Sequence, residues 1–428
     1  MTIRATFSRV FSTAFTSGTI REVKRAIFRG RRGNKPGLIH YFHQVDDPYS
    51  HLAAQILPEI VDRYRVQIVP HLVLPPSDEA APERERLKGY ARRDAMRLCI
   101  RYGLTFPDVA SDLNAEAISS ANAQMAYAIS QGTFIDSASS IGEVLWRGGI
   151  GNVPSLADDD TRIMMEEGDR LRRNLGHYLG GMFYFDGEWY WGIDRLHHLE
   201  TRLRSENLVR DPESLRIAPY QDALLDGRSA RGVKPVIEFW FSFRSPYSYI
   251  AAARLHKLAS HYGAEVRWRF IFPMVMRGLP VPRDKTRYIM LDVKREAELH
   301  KIPYGTMVDP RGEGVRRALA VLHRAIQMGK GAAFAESGLA AAFADGIDMA
   351  SDRGLLRAAS RAGIDEIEVR KALADESWRL IAEENRKALL DAGLWGAPTY
   401  RVNGGPAHWG QDRLWMIEDD LKLAISRS

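Results

Sequence analysis

The sequence predicts an α/β protein built of two successive modules, each a small mixed sheet interrupted by a helical insertion. Three observations carry that expectation. The chain has 428 residues, too many for one ordinary core and suited to two domains of roughly 150–200 residues. A segment beginning at residue 47 recurs at residue 245, each copy between two strand-like runs. A second pair of matching segments closes each half, at 191–196 and 409–414.

The first repeat reads Asp-Pro-Tyr-Ser-His-Leu-Ala-Ala at 47–54 and Ser-Pro-Tyr-Ser-Tyr-Ile-Ala-Ala at 245–252. The offset of 198 persists: Tyr49, Leu52, Ala53, Leu57, Ile60 and Tyr64 correspond to Tyr247, Ile250, Ala251, Leu255, Leu258 and Tyr262. That spacing is the apolar stripe of an amphipathic helix. Strand-like runs precede it at 37–44 and 236–243 and follow it at 66–73 and 264–271. A short strand–helix–strand crossover implies parallel pairing.

The closing segments read Trp-Gly-Ile-Asp-Arg-Leu and Trp-Gly-Gln-Asp-Arg-Leu, at an offset of 218, so the second copy holds about 20 more residues between its landmarks. The intervening stretch is helical in its periodicity, most clearly over 312–345 and 352–392, with Gly363 and Gly393 as stops. Short strands over 399–402 and 407–409 form a hairpin around Asn403-Gly404-Gly405. This is the element order of a thioredoxin-like sheet with a helical domain inserted. The chain accordingly divides into a basic extension (1–36), a first thioredoxin-like domain (37–204), a linker (205–234) and a second such domain (235–428).

Apolar residues make up 45%, charged residues 27% and aromatics 10%, a globular composition that excludes a disordered or fibrous chain. No apolar run approaches the roughly 18 residues of a membrane span. Cys99 is the single cysteine, which excludes an intramolecular disulfide framework and a CxxC redox or zinc site and points to a reducing cytoplasm. The net charge of +6 divides unevenly: residues 1–36 hold nine cations against Glu22 alone, a local +8, leaving the rest near −2. A near-neutral body argues against nucleic-acid binding. The extension is rich in Ser, Thr and Arg, as a targeting peptide is, but too broken for a secretory signal. Val23, Ala26 and Ile27 beside Lys24, Arg25 and Arg29 suit a short basic amphipathic helix. The plainer expectation is a solvated extension packed loosely on the body.

Three landmarks of the second copy carry chemistry. Ser245, before Pro246, stands at the mouth of a helix, beside amides without intrahelical partners. The same residue pair also makes an ordinary N-cap. Gly396-Ala397-Pro398-Thr399 sets a proline at a strand start, where a cis peptide is used and where the Ala397 backbone can pair with an extended peptide-like ligand. An ordinary edge-strand proline reads the same way. Trp409-Gly410-Gln411-Asp412-Arg413 opens a helix whose amides suit a carboxylate, while Asp412 suits an ammonium group. Its plain reading is a capped helix.

Ser-Pro-Tyr-Ser-Tyr at 245–249, Leu-Trp-Gly-Ala-Pro-Thr at 394–399 and His-Trp-Gly-Gln-Asp-Arg-Leu at 408–414 resemble the 2-hydroxychromene-2-carboxylate isomerase family. With kappa-class glutathione transferases it forms part of the DsbA-like branch of the thioredoxin fold. The resemblance covers residues 235–425 and, more faintly, 37–203. It implies that Ser245, in place of the first redox cysteine, hydrogen-bonds the sulfur of glutathione and favours its thiolate. It also implies that Ala397 and Pro398 hold the glutathione backbone, and that Gln411 and Asp412, with Arg413, hold its γ-glutamyl end. The implied reaction is isomerisation or thiol transfer on a small unsaturated aromatic-derived compound. Transient thiolate addition allows rotation about a former double bond, and elimination regenerates glutathione.

The first copy departs from this pattern. Asp47 stands where Ser245 stands, Gly180-Gly181-Met182 replaces Ala397-Pro398-Thr399, and Ile193 replaces Gln411. A carboxylate repels a thiolate. Residues 37–203 therefore read as a degenerate copy with a structural role, as a cover for apolar surface or as one half of a pseudo-dimer within one chain. Arg311, Arg316 and Arg317 read as a solvated helix face more readily than as anion contacts. His40 and His43 point to opposite strand faces, His197 and His198 diverge on a helix, and no metal site is expected. Cys99 reads as a small buried helix residue. A disulfide oxidoreductase is excluded, since neither active-site helix carries a cysteine. The alternative to the enzyme is a non-catalytic binding or scaffold protein that retains the fold's landmarks.

Overall fold

The computed structural model describes residues 3–107, 113–229, 232 and 234–427. They form two compact units, one of Glu22–Tyr220 with Pro282–Tyr288 and the other of Met1–Arg21, Gln221–Val281 and Ile289–Ser428. Ala230, Arg231 and Val233 of the expected linker lie outside the described residues.

In the N-terminal unit, β1 (Gly37–His43), β2 (Val66–Leu72), β3 (Met182–Phe185) and β4 (Glu188–Trp191) form a sheet of order β2-β1-β3-β4. β1 runs parallel to β2, with Ile39 opposite Ile68, and antiparallel to β3. The β3–β4 hairpin turns through Asp186 and Gly187, both at positive φ (43° and 87°), the geometry that matches the twist of paired strands. β1 is nearly continuous in apolar and aromatic side chains because it is central: Ile39, Tyr41 and Phe42 are fully buried.

The C-terminal unit repeats the order. β5 (Val236–Phe241), β6 (Glu265–Phe270), β7 (Thr399–Val402) and β8 (Ala407–Trp409) form a sheet of order β6-β5-β7-β8. β5 is parallel to β6 and antiparallel to β7. The helical insertion covers this sheet, and its core joins Phe239, Phe241 and Tyr400 to Leu319, Phe334 and Leu355. The two long helical stretches of the sequence are subdivided. The first becomes Glu313–Gln327 and Gly331–Phe343, the second Asp352–Arg361, Glu366–Ala374 and Trp378–Asp391. Gly329, Gly363 and Gly393 follow helix ends at positive φ, where a Cβ is strained.

Two buried polar pairs occur at matching places in the units. Tyr49 donates to Asp94 at 2.9 Å, and Tyr247 donates to Asp292 at 2.7 Å. Tyr64 donates to Glu200 at 2.8 Å, and Tyr262 donates to Glu418 at 2.7 Å. Each glutamate also accepts two backbone amides, those of Ile217 and Ala218 for Glu200 and those of Leu224 and Leu225 for Glu418. Three donors give each buried carboxylate the hydrogen-bond partners that its burial requires.

The basic extension departs from the solvated segment that its composition suggests. It forms helices Ile3–Phe15 and Gly18–Arg32. Ser8 donates to the Met307 carbonyl at 3.1 Å, and Ser12 accepts from the Met307 amide at 2.9 Å. Arg25 pairs with both oxygens of Glu188 at 2.6 and 2.8 Å, and Arg32 reaches Asp186 and Glu206. The acids that neutralise the extension lie more than 150 residues away, so local composition could not show them.

Glu418→Ala removes the acceptor of three donors at once. The expected loss is about 2–4 kcal/mol of unfolding free energy, read by urea denaturation.

Candidate active site

The helix Pro246–Tyr262 opens beneath the end of β5, and its first amides lack intrahelical acceptors. Ser245 caps it from an extended conformation (φ −99°, ψ 109°) with Pro246 at the first helical position. The Ser245 hydroxyl accepts from the Ser248 amide at 3.1 Å and donates to the Ala397 carbonyl at 3.1 Å. Residues 152 positions apart thus meet at one helix mouth. Ser245 and Ala397 are half-buried and Pro398 is buried. The Ala397–Pro398 peptide is cis.

The third landmark is tied to the second. The Gly410 amide donates to the Pro398 carbonyl at 3.0 Å, joining the opening of the last helix to the start of β7. Gly410 sits at φ 127°, and a Cβ there would lie 2.5 Å from the Asp412 carboxylate, so only glycine fits. A Cβ on Gly396 would lie 2.4 Å from the Trp409 ring. Ser245, Ala397, Pro398 and the 410–413 turn therefore converge.

Two of the residues expected at the ligand have buried side chains with partners inside the protein. Gln411 is 1% exposed. Its amide donates to Glu296 at 2.5 Å, and its carbonyl oxygen accepts from Arg254 at 2.8 Å. Arg254 also donates to the Gln411 backbone carbonyl and pairs with Asp222. Arg413 is 3% exposed, with its guanidinium 3.4 Å from Asp412. Both side chains face the interior, where they hold the turn in shape. Asp412, between them, is half-buried.

Two arginines adjoin these landmarks, Arg244 preceding Ser245 and Arg277 bonding the segment before Ala397. Arg244 pairs with both oxygens of Asp309 at 2.8 and 3.0 Å. Arg277 donates to the Trp395 carbonyl at 2.8 Å, two residues before Ala397. Arg244 was visible as the neighbour of Ser245, whereas Arg277 lies in a short turn without periodic signal. Arg317 pairs with Asp352 and Arg316 approaches Glu313 at 3.9 Å, which accords with a helix face rather than anion contacts. Cys99 donates from Sγ to the Met96 carbonyl on its own helix, and burial pushes its thiol pKa up.

The N-terminal unit has the same sheet order with different residues at the corresponding places. Asp47 caps the helix Pro48–Ala54, accepting from the Ser50 amide at 2.9 Å and the Ser50 hydroxyl at 2.7 Å. The Gly192 amide donates to the Gly181 carbonyl at 2.7 Å, the counterpart of Gly410 and Pro398. A Cβ on Gly180 would lie 2.4 Å from Cβ of Gln44. Burial pushes the Asp47 carboxyl up to about 6, against the pull of the Ser50 hydrogen bonds.

The C-terminal sheet, with its helical insertion after the second strand and a polar residue capping the first helix, defines a DsbA-like thioredoxin domain. Residues 236–422 match the family model described as DSBA-like thioredoxin domain. The 2-hydroxychromene-2-carboxylate isomerase of Pseudomonas sp. (strain C18) is 30% identical over 194 residues, 43% of this chain and 89% of that protein. The enzyme of the same name from Pseudomonas putida is 30% identical over 196 residues, 44% of this chain and 94% of that protein. A solved 2-hydroxychromene-2-carboxylate isomerase structure aligns at 27% identity and a TM-score of 0.39, covering 45% of this chain and 97% of that one. Through its C-terminal half, the chain belongs to the 2-hydroxychromene-2-carboxylate isomerase family.

Asp47 yields a pH dependence. A carboxyl whose pKa is higher in the fold than in the unfolded chain keeps its proton longer when folded. Its contribution to stability is therefore present at low pH and is lost as pH rises from about 4 to about 6. Asp47→Asn preserves an acceptor for the cap and should flatten that fall in thermal unfolding followed across this window. An unchanged slope would assign the fall elsewhere.

Proposed function

We propose that the C-terminal unit is a glutathione-dependent isomerase, or a kappa-class-like glutathione transferase, acting on a small unsaturated aromatic-derived compound. The observation that carries this reading is the position of the Ser245 hydroxyl, half-buried between a helix amide and the Ala397 carbonyl. Family membership supplies the class of reaction, and the donor set is what a bound thiol requires. Glutathione, when bound, supplies the nucleophilic sulfur.

The chain's own part is electrostatic. Ser245 turns its O–H from the Ala397 carbonyl toward an anion at the helix mouth. The N-terminal end of a 17-residue helix lends that anion its dipole. Arg244 adds a positive charge beside it, partly offset by Asp309. The Ala397 backbone accepts an extended peptide as an added strand, and Asp412 receives an ammonium group at the 410–413 turn. Asp412 takes the ammonium side of a zwitterionic end, and the amides of the same turn take its carboxylate.

The N-terminal unit, in this reading, is a second copy of the same fold that has lost the chemistry, because Asp47 places a carboxyl where the anion would sit. Its place in the chain suits a pseudo-dimer, with the copy standing in for a partner subunit. A monomer in solution scattering is expected; a stable homodimer joined through the C-terminal unit would contradict it.

The self-satisfied cap favours one alternative, a non-catalytic scaffold in which Ser245 serves the helix alone. Isothermal titration with glutathione, and turnover of 2-hydroxychromene-2-carboxylate, separate the two. Ser245→Ala should lower turnover by about 10–100-fold, the value of one charge-assisted hydrogen bond, with about 1 kcal/mol lost from the cap. Absence of heat with glutathione, or unchanged turnover in the variant, favours the scaffold or removes Ser245 from the mechanism.

A further inference from the structure

We propose that the two N-terminal helices are an interfacial anchor for an anionic membrane surface. Both are inside out. In the helix Ile3–Phe15, the inward face carries no large aliphatic side chain: beside the small Ala5 it is made of Ser8 and Ser12, which bond to Met307, and Ser12 is 3% exposed. The outward face is apolar. Phe7 is 73% and Phe11 55% exposed, Val10 stands beside them, and the Phe7, Phe11 and Phe15 rings stack in a row at 6.4 and 5.7 Å. Water gains nothing from such a row, and an ordinary surface helix presents the opposite polarity.

The helix Gly18–Arg32 shows the same inversion with charge added. Its inward arginines are consumed by ion pairs, Arg21 with Glu298, Arg25 with Glu188, and Arg32 with Asp186 and Glu206. Its outward face carries Ile20, Val23 and Ile27, each more than two-fifths exposed. Lys24 and Arg31 fall on that same face, four residues after Ile20 and Ile27, and are exposed with Arg29. Aliphatic side chains with cations beside them suit the boundary of headgroups and acyl chains, where long basic side chains reach up to phosphate.

Charge selects the occupant. Arg21, Arg25 and Arg32 are compensated by acids of the body, but the exposed Lys24, Arg29 and Arg31 remain at the surface of this segment, so an anionic leaflet attracts this end of the chain. A second copy docked face to face would set Lys24, Arg29 and Arg31 against their own counterparts. Among the described residues no helix is long and apolar enough to cross a membrane, so the mode is adsorption in the interface plane.

Sedimentation of the full-length protein with phosphatidylcholine vesicles, with and without phosphatidylglycerol, tests this. Binding is expected to the phosphatidylglycerol vesicles and to weaken with salt. The Phe7→Ser/Phe11→Ser variant should bind about tenfold more weakly or worse. Lys24→Glu/Arg31→Glu should lose the preference for anionic lipid. Failure to sediment with anionic vesicles overturns the proposal, as does equal binding by both variants. It is also overturned by a homodimer in light scattering that the phenylalanine substitutions dissolve, since the face would then belong to a second copy.

Discussion

A helix that begins at the end of a buried strand leaves its first amides with nothing to bond, and the chain must supply an acceptor there. In the C-terminal unit that acceptor is the Ser245 hydroxyl. The same hydroxyl has a proton to give, and it gives it to the Ala397 carbonyl. This one bond draws the strand β7 and its preceding loop onto the helix mouth, and the Gly410–Pro398 bond then brings in the last helix. A hydroxyl is suited to this double duty because it both donates and accepts. The carboxylate of Asp47 only accepts when ionised, so the N-terminal unit closes its corresponding loop with glycines and with Ser50 as donor.

The fold was legible where it rests on repetition and periodicity. The 198-residue offset located both crossover helices, and the strand runs fall within about two residues of the observed strands. The same offset relates Tyr49 and Asp94 to Tyr247 and Asp292, and it passed unread because a tyrosine and an aspartate 45 residues apart leave no local pattern. Ser245, Ala397 and Pro398 were legible as a set because each stands at an element boundary with few residue types to choose from. The side-chain directions of Gln411 and Arg413 were not. Polar residues at a helix opening read as exposed, but Glu296 and Arg254, on distant elements, draw Gln411 inward. Burial of polar groups is decided by partners, and partners are set by the tertiary fold.

The buried Gln411 changes how the site would act. Its side chain stands between Glu296 and Arg254, and Arg254 also holds the Gln411 carbonyl. A turn braced in this way presents its backbone in one geometry, which is what an amide-based anion site needs more than a mobile polar side chain. The cost of such bracing is a set of buried charges, tolerable because each has a partner. In the N-terminal unit, Ile193 replaces Gln411, and a fully apolar residue in that place makes no demand for the same partners. The cap hydroxyl, the proline and the polar brace are thus all absent from the corresponding places of the N-terminal unit.

The basic extension follows the same logic in reverse. Its inward arginines are compensated one by one by Glu188, Asp186, Glu206 and Glu298, so folding alone accounts for their charge. Folding does not account for Phe7, Phe11, Val23 and Ile27, which cover no core. Exposed side chains of this size are ordinary when scattered, but here they lie in register along single helix faces, while serines and ion-paired arginines take most of the inward positions. A sequence under no constraint beyond solubility would have exchanged the two faces, because placing serine outward and phenylalanine inward strengthens the packing and lowers the exposed apolar area together. The inversion therefore marks a second environment, outside the chain, that these helices are built to meet.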